Sequence, residues 1–262
     1  MLPISRSLLS RYASLKKKKY RDQFKLYAIS GLNAVSMAIK SASIRLEAML
    51  VREDRVKEAE SILNQTAFSD PFKIFKLSPR EFGQFSDEQN PQGLALIVHK
   101  PDSEFEPDSF YARHFIYLDR INDPGNLGTI IRTAAWFDIS MIFLSPGSAD
   151  PFQPKTTRSS AGIISHLKVI QNVEPQILKT LNQKFNIKLI GACAHKNRAL
   201  DEFKFDPNIK YGFIFGSEAH GIGDEIQPLL DAQIQIPCAG MGESLNLAAS
   251  TAIFLYSFRQ QI

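Results

Sequence analysis

Leu8, Leu9, Tyr12 and Leu15 fall at the spacing of one helix face, with basic residues between and beyond them, which predicts an amphipathic helix from Ile4 to Lys19 ending in a lysine run. The period then shortens and lengthens in turn. Short apolar runs predict strands at Leu26 to Ile29, Ile44 to Val51 and Leu94 to Val98, with helices at Leu32 to Ile39 and Glu53 to Leu63. That alternation fits a small α/β layer. Between His99 and Ser109 the text becomes PDSEFEPDS, with Pro101, Pro107 and four acids, which packs poorly and predicts a linker over 101–111. The alternation restarts beyond it. Strands are expected at Phe115 to Leu118, Met141 to Leu144, Lys188 to Ala192, Gly212 to Phe215 and Gln233 to Ile236. Helices are expected from Pro124 to about Phe137, Pro175 to Lys184 and Ser244 to Phe258. Repeated βα units imply a mostly parallel sheet covered by helices, so the expected domains are 1–100 and 112–262.

Composition changes this picture little: 262 residues with 44% hydrophobic content suit two ordinary domains. The longest apolar run, Leu247 to Phe258, is shorter than the roughly 20 residues that span a bilayer and carries Ser250, Thr251 and Ser257, so no membrane partner is expected. Cys193 and Cys238 stand apart with no histidine at metal-ligand spacing, so no metal is expected and a reducing, cytoplasmic setting fits. Charge matters more. Residues 1–25 hold Arg6, Arg11, Lys16, Lys17, Lys18, Lys19, Arg21 and Lys25 against Asp22 alone, a balance of +7. The whole chain sums to +4, so the rest sums to −3. A basic end on a near-neutral body suits a polyanion such as RNA, each cation releasing condensed counterions. A merely solvated helix face is the bland alternative. A mitochondrial presequence ranks last, because the segment runs directly into an expected strand.

Three glycine-bearing loops follow three of the later strands, where an open parallel sheet places ligands. The first, Asn122-Asp123-Pro124-Gly125-Asn126, leads into a helix carrying Arg132. Taken alone it is also a good turn and helix start. The second, Gly216-Ser217-Glu218-Ala219-His220-Gly221-Ile222-Gly223, follows an apolar strand but lies too late in the domain for a dinucleotide fingerprint. The third passes from Ile236 through Pro237, Gly240 and Gly242 to Ser244, Leu245 and Asn246. Ser244 reads as a helix N-cap, whereas Asn246 inside the first turn has less structural excuse. No nucleophile elbow and no P-loop is present.

In order and spacing the segments NDPGNLGTIIRTA, FIFGSEAHGIG and IPCAGMGESLNLAASTAIFLY resemble the three signature motifs of the SpoU/TrmH family of SPOUT RNA ribose 2′-O-methyltransferases. The resemblance covers almost all of 112–262. It implies an α/β fold: a C-terminal SPOUT domain with a parallel sheet and a deep trefoil knot, preceded by a small α/β RNA-binding domain. It implies S-adenosyl-L-methionine as cofactor, gripped by backbone groups at Gly216, Ile236 and Leu245. Arg132, Asn126, Glu218, Ser244 and Asn246 take the catalytic positions, and a homodimer assembles the site. Lys155 and Arg158, in SADPFQPKTTRSSAG, match a stretch common in the family and join Lys16, Lys17, Lys18 and Lys19 as candidate RNA contacts. Ribosomal RNA is the expected substrate, ahead of transfer RNA. The rival reading is a non-catalytic RNA-binding or ribosome-assembly protein that keeps the fold. The N-terminal resemblance is looser, because Ser30 stands where relatives often carry glutamate before Gly31.

Overall fold

The computed structural model describes residues 1–66, 71–101, 105–107, 110–111, 113–194 and 198–262. Parts of the expected linker, and the expected domain start at residue 112, lie outside the described residues. The chain divides into two units, one of Met1–Asp102 with Asp150–His166, the other of Ser103–Ala149 with Leu167–Ile262. The grouping differs from an unbroken second half in one respect: 150–166 packs with the first hundred residues.

The first unit begins with β1 (Leu2–Pro3), α1 (Arg6–Ser14), α2 (Lys18–Phe24), β2 (Leu26–Ser30) and α3 (Leu32–Ala38). It continues through β3 (Leu46–Arg52), α4 (Val56–Asn64), β4 (Lys73–Leu77), α5 (Pro79–Phe85) and β5 (Leu94–His99). Its sheet has the order β1-β4-β3-β5-β2, with β5 antiparallel to both neighbours and the other pairs parallel. The single helix expected from Ile4 to Lys19 is two. Arg21 breaks it: the guanidinium, 3% exposed, donates to the carbonyls of Leu15 at 2.7 Å and Lys16 at 2.9 Å, receiving the carbonyls that a continuing helix would have used. The same side chain pairs with Asp150 Oδ2 at 2.6 Å, and Phe152 tilts onto Tyr27 with ring centroids 4.8 Å apart. Those contacts fasten 150–166 into this unit. The sequence reading passed over β4 and α5, although Ser78 and Glu81 form a capping box whose spacing was visible.

The second unit holds β6 (Phe115–Leu118), α6 (Pro124–Trp136) and β7 (Met141–Leu144). The chain then leaves for the first unit, where it forms α7 (Pro154–Ser159). It returns with β8 (Lys168–Ile170), α8 (Gln176–Phe185), β9 (Ile187–Cys193), β10 (Arg198–Ala199), β11 (Lys210–Phe215), β12 (Ala232–Gln235) and α9 (Leu247–Arg259). Seven strands in the order β10-β12-β9-β11-β6-β7-β8 pair in parallel throughout. Runs such as Phe115–Leu118 and Met141–Leu144 are buried at every position, as a sheet covered on both faces requires. From β6 the chain moves outward to β7 and β8, and β11 later inserts between β9 and β6. The loops after β6 and β11 therefore leave adjacent strand ends, at the sheet's switch point.

His114, just before β6, is held neutral. Its Nδ1 accepts the Tyr211 amide at 3.1 Å, and burial against Tyr211 and Phe258, with Lys210 and Arg259 nearby, lowers its pKa to about 4. The unfolded chain binds this proton below the ordinary histidine value while the folded chain does not. Stability is therefore present above about 6.5 and lost as pH falls toward 4. The expected loss, in this half-buried setting, is on the order of 1–2 kcal/mol. Denaturant unfolding at pH 7 and pH 4.5 checks it: His114→Asn, which keeps an acceptor but not the titration, should show a smaller drop than wild type.

Candidate active site

Gly216 closes β11 and starts a loop that leaves no space for a side chain. A Cβ there would lie 1.9 Å from the Gly221 carbonyl carbon and 2.2 Å from the Ile222 nitrogen. Ser217 and Gly221 exchange backbone hydrogen bonds of 3.1 and 2.9 Å, and Gly221 turns at φ +64°. This tight turn presents Glu218 at its exposed tip. Asp123 caps α6 by accepting the Asn126 amide at 2.7 Å, so Asn126 stands in the helix's first turn. Its side-chain amide donates to Glu218 Oε1 at 2.6 Å and its oxygen accepts from Asn246 Nδ2 at 3.0 Å. Residues from all three motifs thus meet in one hydrogen-bonded chain.

Two expectations about the third motif are corrected. The helix begins at Leu247, not Ser244, and Asn246 is its N-cap, its Oδ1 accepting the Ala248 and Ala249 amides at 2.9 and 3.3 Å. Asparagine is among the best N-caps, so this residue has a full structural reason to be where it is. Ser244 lies ahead of the helix, exposed.

Between the second and third motifs lies a cavity of about 560 Å³. Gly216, Ile236 and Leu245, the three expected cofactor contacts, all line it, as do Glu218 and Ser244. Phe215, Leu247 and Phe254 form apolar wall, and Pro237, Cys238, Ala239, Met241 and Gly242 also line it. Its volume lies in the range of small-molecule sites, and an apolar wall with open backbone groups suits an adenine ring and a short polar chain. Asn126, Arg132 and Asn246 are not among the lining residues. Arg132 is exposed on α6 and, among the described residues, has no hydrogen-bond or ion-pair partner. Six residues past Asn126, it stands about 9 Å further along the axis and on a different helix face.

The basic side chains of the first unit divide by environment. Lys16 donates to the carbonyls of Gln84 and Ser86 at 3.1 and 2.8 Å, and Arg158 forks onto Asp87 at 2.7 and 3.3 Å. Both are engaged by protein groups, which the sequence could not foretell because their partners lie some seventy residues away. Lys18 pairs with Asp22 on its own helix, Lys17 and Lys19 are exposed, and Lys155 is exposed on α7. Sequence reasoning also missed Asp119 and Arg120, which sit at the end of β6 against the second motif's loop.

The chain matches the SpoU rRNA methylase family over residues 113–256. It belongs to that family. Residues 9–96 match the MRM3-like substrate binding domain. A 23S rRNA (guanosine(2553)-2′-O)-methyltransferase of Bacillus subtilis is 28% identical over 248 residues, 95% of this chain and 94% of the relative. An uncharacterised tRNA/rRNA methyltransferase of Synechocystis is 33% identical over 78% of this chain and 74% of its own length. Among solved structures, a candidate RNA methyltransferase of the TrmH family from Porphyromonas gingivalis superposes with a TM-score of 0.83 at 27% identity, covering 99% of both chains. The SpoU methyltransferase AviRb from Streptomyces viridochromogenes, solved with AdoMet, shares the fold at a TM-score of 0.84 and 21% identity over 98% of both.

Proposed function

We propose that this chain is an S-adenosyl-L-methionine-dependent methyltransferase that modifies a ribose 2′-hydroxyl of ribosomal RNA, in the cytoplasm, as a homodimer. The observation that carries the reading is the joining of Asn126, Glu218 and Asn246 beside a cavity lined by Gly216, Ile236 and Leu245. The full-length B. subtilis relative, named for 23S rRNA, supports ribosomal over transfer RNA and a bacterial cytoplasmic setting. The deep trefoil knot belongs to the same reading. It is supported by the late insertion of β11 between β9 and β6 and the return of the chain from β12 to pack α9 on α6.

S-adenosyl-L-methionine, when bound, supplies a sulfonium methyl open to in-line displacement by an oxygen nucleophile. The chain's own residues must align the ribose oxygen, shelter the site and steady the charge that builds as the hydroxyl proton leaves. Backbone at Gly216, Ile236 and Leu245 would hold the adenosyl end, with Phe215 and Phe254 excluding water. Glu218 and Asn246 fix the Asn126 amide, which with Ser244 would place the ribose. A guanidinium is a poor general base, so the part of Arg132 is to bind the adjacent phosphate and stabilise the developing alkoxide. Because its side chain does not line its own chain's cavity, we assign it to the partner's site in the dimer. Trp136, 84% exposed at the end of the same helix, and Tyr256, 56% exposed on the α9 it packs against, form the apolar face such a dimer would cover.

Calorimetric titration with S-adenosylmethionine, followed by mapping of 2′-O-methyl sites in RNA from a deletion strain, tests the assignment. RNA binding without cofactor binding would turn it toward the non-catalytic rival. The first unit is proposed to grip RNA through Lys17 and Lys19, with the paired Lys16 and Arg158 contributing less. Lys17→Ala with Lys19→Ala should reduce the slope of log affinity against log salt by roughly 1.4–1.8. Lys16→Ala should leave the slope nearly unchanged. Binding isotherms between about 50 and 200 mM salt read both. Equal slopes for all three proteins would remove the basic end from the interface.

A further inference from the structure

Asp119 is a carboxylate with a side chain 3% exposed at the end of β6, and its two oxygens are fully used by groups at the site's edge. Oδ2 accepts the Gly223 amide at 2.9 Å, at the far end of the loop that carries Glu218. The Arg120 fork closes on the same carboxylate, Nε to Oδ1 at 3.1 Å and Nη2 to Oδ2 at 3.0 Å. Arg120 holds this pose with φ +53°, a left-handed conformation that a long side chain seldom adopts, and its amide donates to Ser145 Oγ at 2.7 Å at the end of β7. The Asp119 amide meanwhile donates to the Phe215 carbonyl at 2.8 Å. The ends of β6, β7 and β11 are therefore tied at Asp119 and Arg120, through their two backbone amides and through the buried carboxylate's bond to Gly223.

Resting on the methyltransferase reading above, we propose that Asp119 and Arg120 are positioning residues that lock the Gly216–Gly223 loop against the end of β6, just ahead of the first motif, and so hold the cofactor cavity and Glu218 in register. The loop is joined twice to the segment that runs from the end of β6 into α6. At its tip the Asn126 to Glu218 hydrogen bond is exposed, where water competes and the bond can exchange when substrate arrives. At its base the Asp119 to Gly223 bond is largely shielded from water, and breaking it leaves the Gly223 amide without its partner. The base tie is the permanent one. Neither Asp119 nor Arg120 lines the cavity, so both act through the loop rather than on the reacting atoms. Gly223 is part of the device: a Cβ there would stand 2.6 Å from Arg120 Nη2 and 3.2 Å from Asp119 Oδ2 and would push the fork away.

The test measures the dissociation constant for S-adenosylhomocysteine, kcat, and KM for RNA in wild type, Asp119→Ala, Asp119→Asn, Gly223→Ala and Arg120→Met, each at a temperature where its melting curve shows it folded. Asp119→Ala should weaken cofactor-product binding about 10-fold or more and Gly223→Ala about 3-fold, each lowering kcat, with KM for RNA within about 3-fold. Asp119→Asn, which keeps an acceptor for Gly223, should recover most of that loss. Arg120→Met acts at a side chain 48% exposed, so it tests the fork without threatening the core, and should weaken binding about 3-fold. A purely structural role would lower melting temperatures and leave binding and kcat of the folded variants at wild-type values, and that result would overturn the proposal. Wild type that fails to bind S-adenosylhomocysteine would instead overturn the methyltransferase reading itself.

Discussion

Arg132→Ala should lower single-turnover methylation at saturating cofactor at least ~100-fold, the scale of losing one preorganised charge-stabilising group. Folding and S-adenosylmethionine affinity should stay near wild type. The side chain is exposed, has no protein partner among the described residues and lies off the cavity wall, so its removal leaves no buried group unpaired and no void. That combination separates Arg132 from the rest of the candidate set, since Asn126 and Asn246 each cap or bridge structure. Arg132→Lys should rescue little, because an ammonium cannot reproduce the planar two-pronged grip of a guanidinium on phosphate. If Arg132 serves the partner's site, mixing Arg132→Ala with a cofactor-site variant should restore activity in heterodimers that hold one complete site. Near wild-type turnover by the alanine variant would remove Arg132 from the chemistry, and full activity of the lysine variant would show that charge alone suffices.

The second large effect is expected at Gly216. Gly216→Ala places a methyl within 2.2 Å of three backbone atoms at Gly221 and Ile222, and backbone cannot swing aside as the end of a side chain can. The turn closed by Ser217 and Gly221 must open, which costs about 1–3 kcal/mol of stability and displaces the cavity wall and Glu218 together. Cofactor affinity should fall at least ~100-fold, read by calorimetry alongside thermal melting, because several contacts are misplaced at once. Gly240→Ala is the control. It lies in the third motif's loop, but nothing stands within 4 Å of the added methyl, so affinity and melting temperature should both hold. Equal effects at the two glycines would mean that the loop's tightness is unrelated to binding.

Both predictions depend on residues that were legible in the sequence, and their division of labour was not. Periodicity located β6, β7, β9, β11 and β12, runs of four to seven residues between turn residues, and passed over β8 and β10, which are only three and two residues long. The resemblance to the family's three motifs pointed to Asn126, Arg132, Glu218, Ser244 and Asn246 as candidates. The same local signals mistook Ile4 to Lys19 for one helix, since the break comes from Arg21 reaching back to the carbonyls of Leu15 and Lys16 while anchored on Asp150 far along the chain. Contacts of long sequence separation leave no local pattern. For that reason Lys16 and Arg158 read as free cations although backbone carbonyls and Asp87 hold them, and the placement of 150–166 in the first unit could not be read from its composition. Asn246 shows the boundary most clearly: residue type marked it as a polar group at a helix start, but only the fold shows its oxygen capping α9 while its amide reaches Asn126, 120 residues earlier. The sequence by itself determined which groups are available and that the strands alternate with helices. Only the tertiary structure decided which cations are already spent on protein partners, that Arg132 stands exposed without a partner among the described residues, and that a buried carboxylate ties the loop after β11 to the end of β6, because pairing depends on distances in space that the order of residues does not encode.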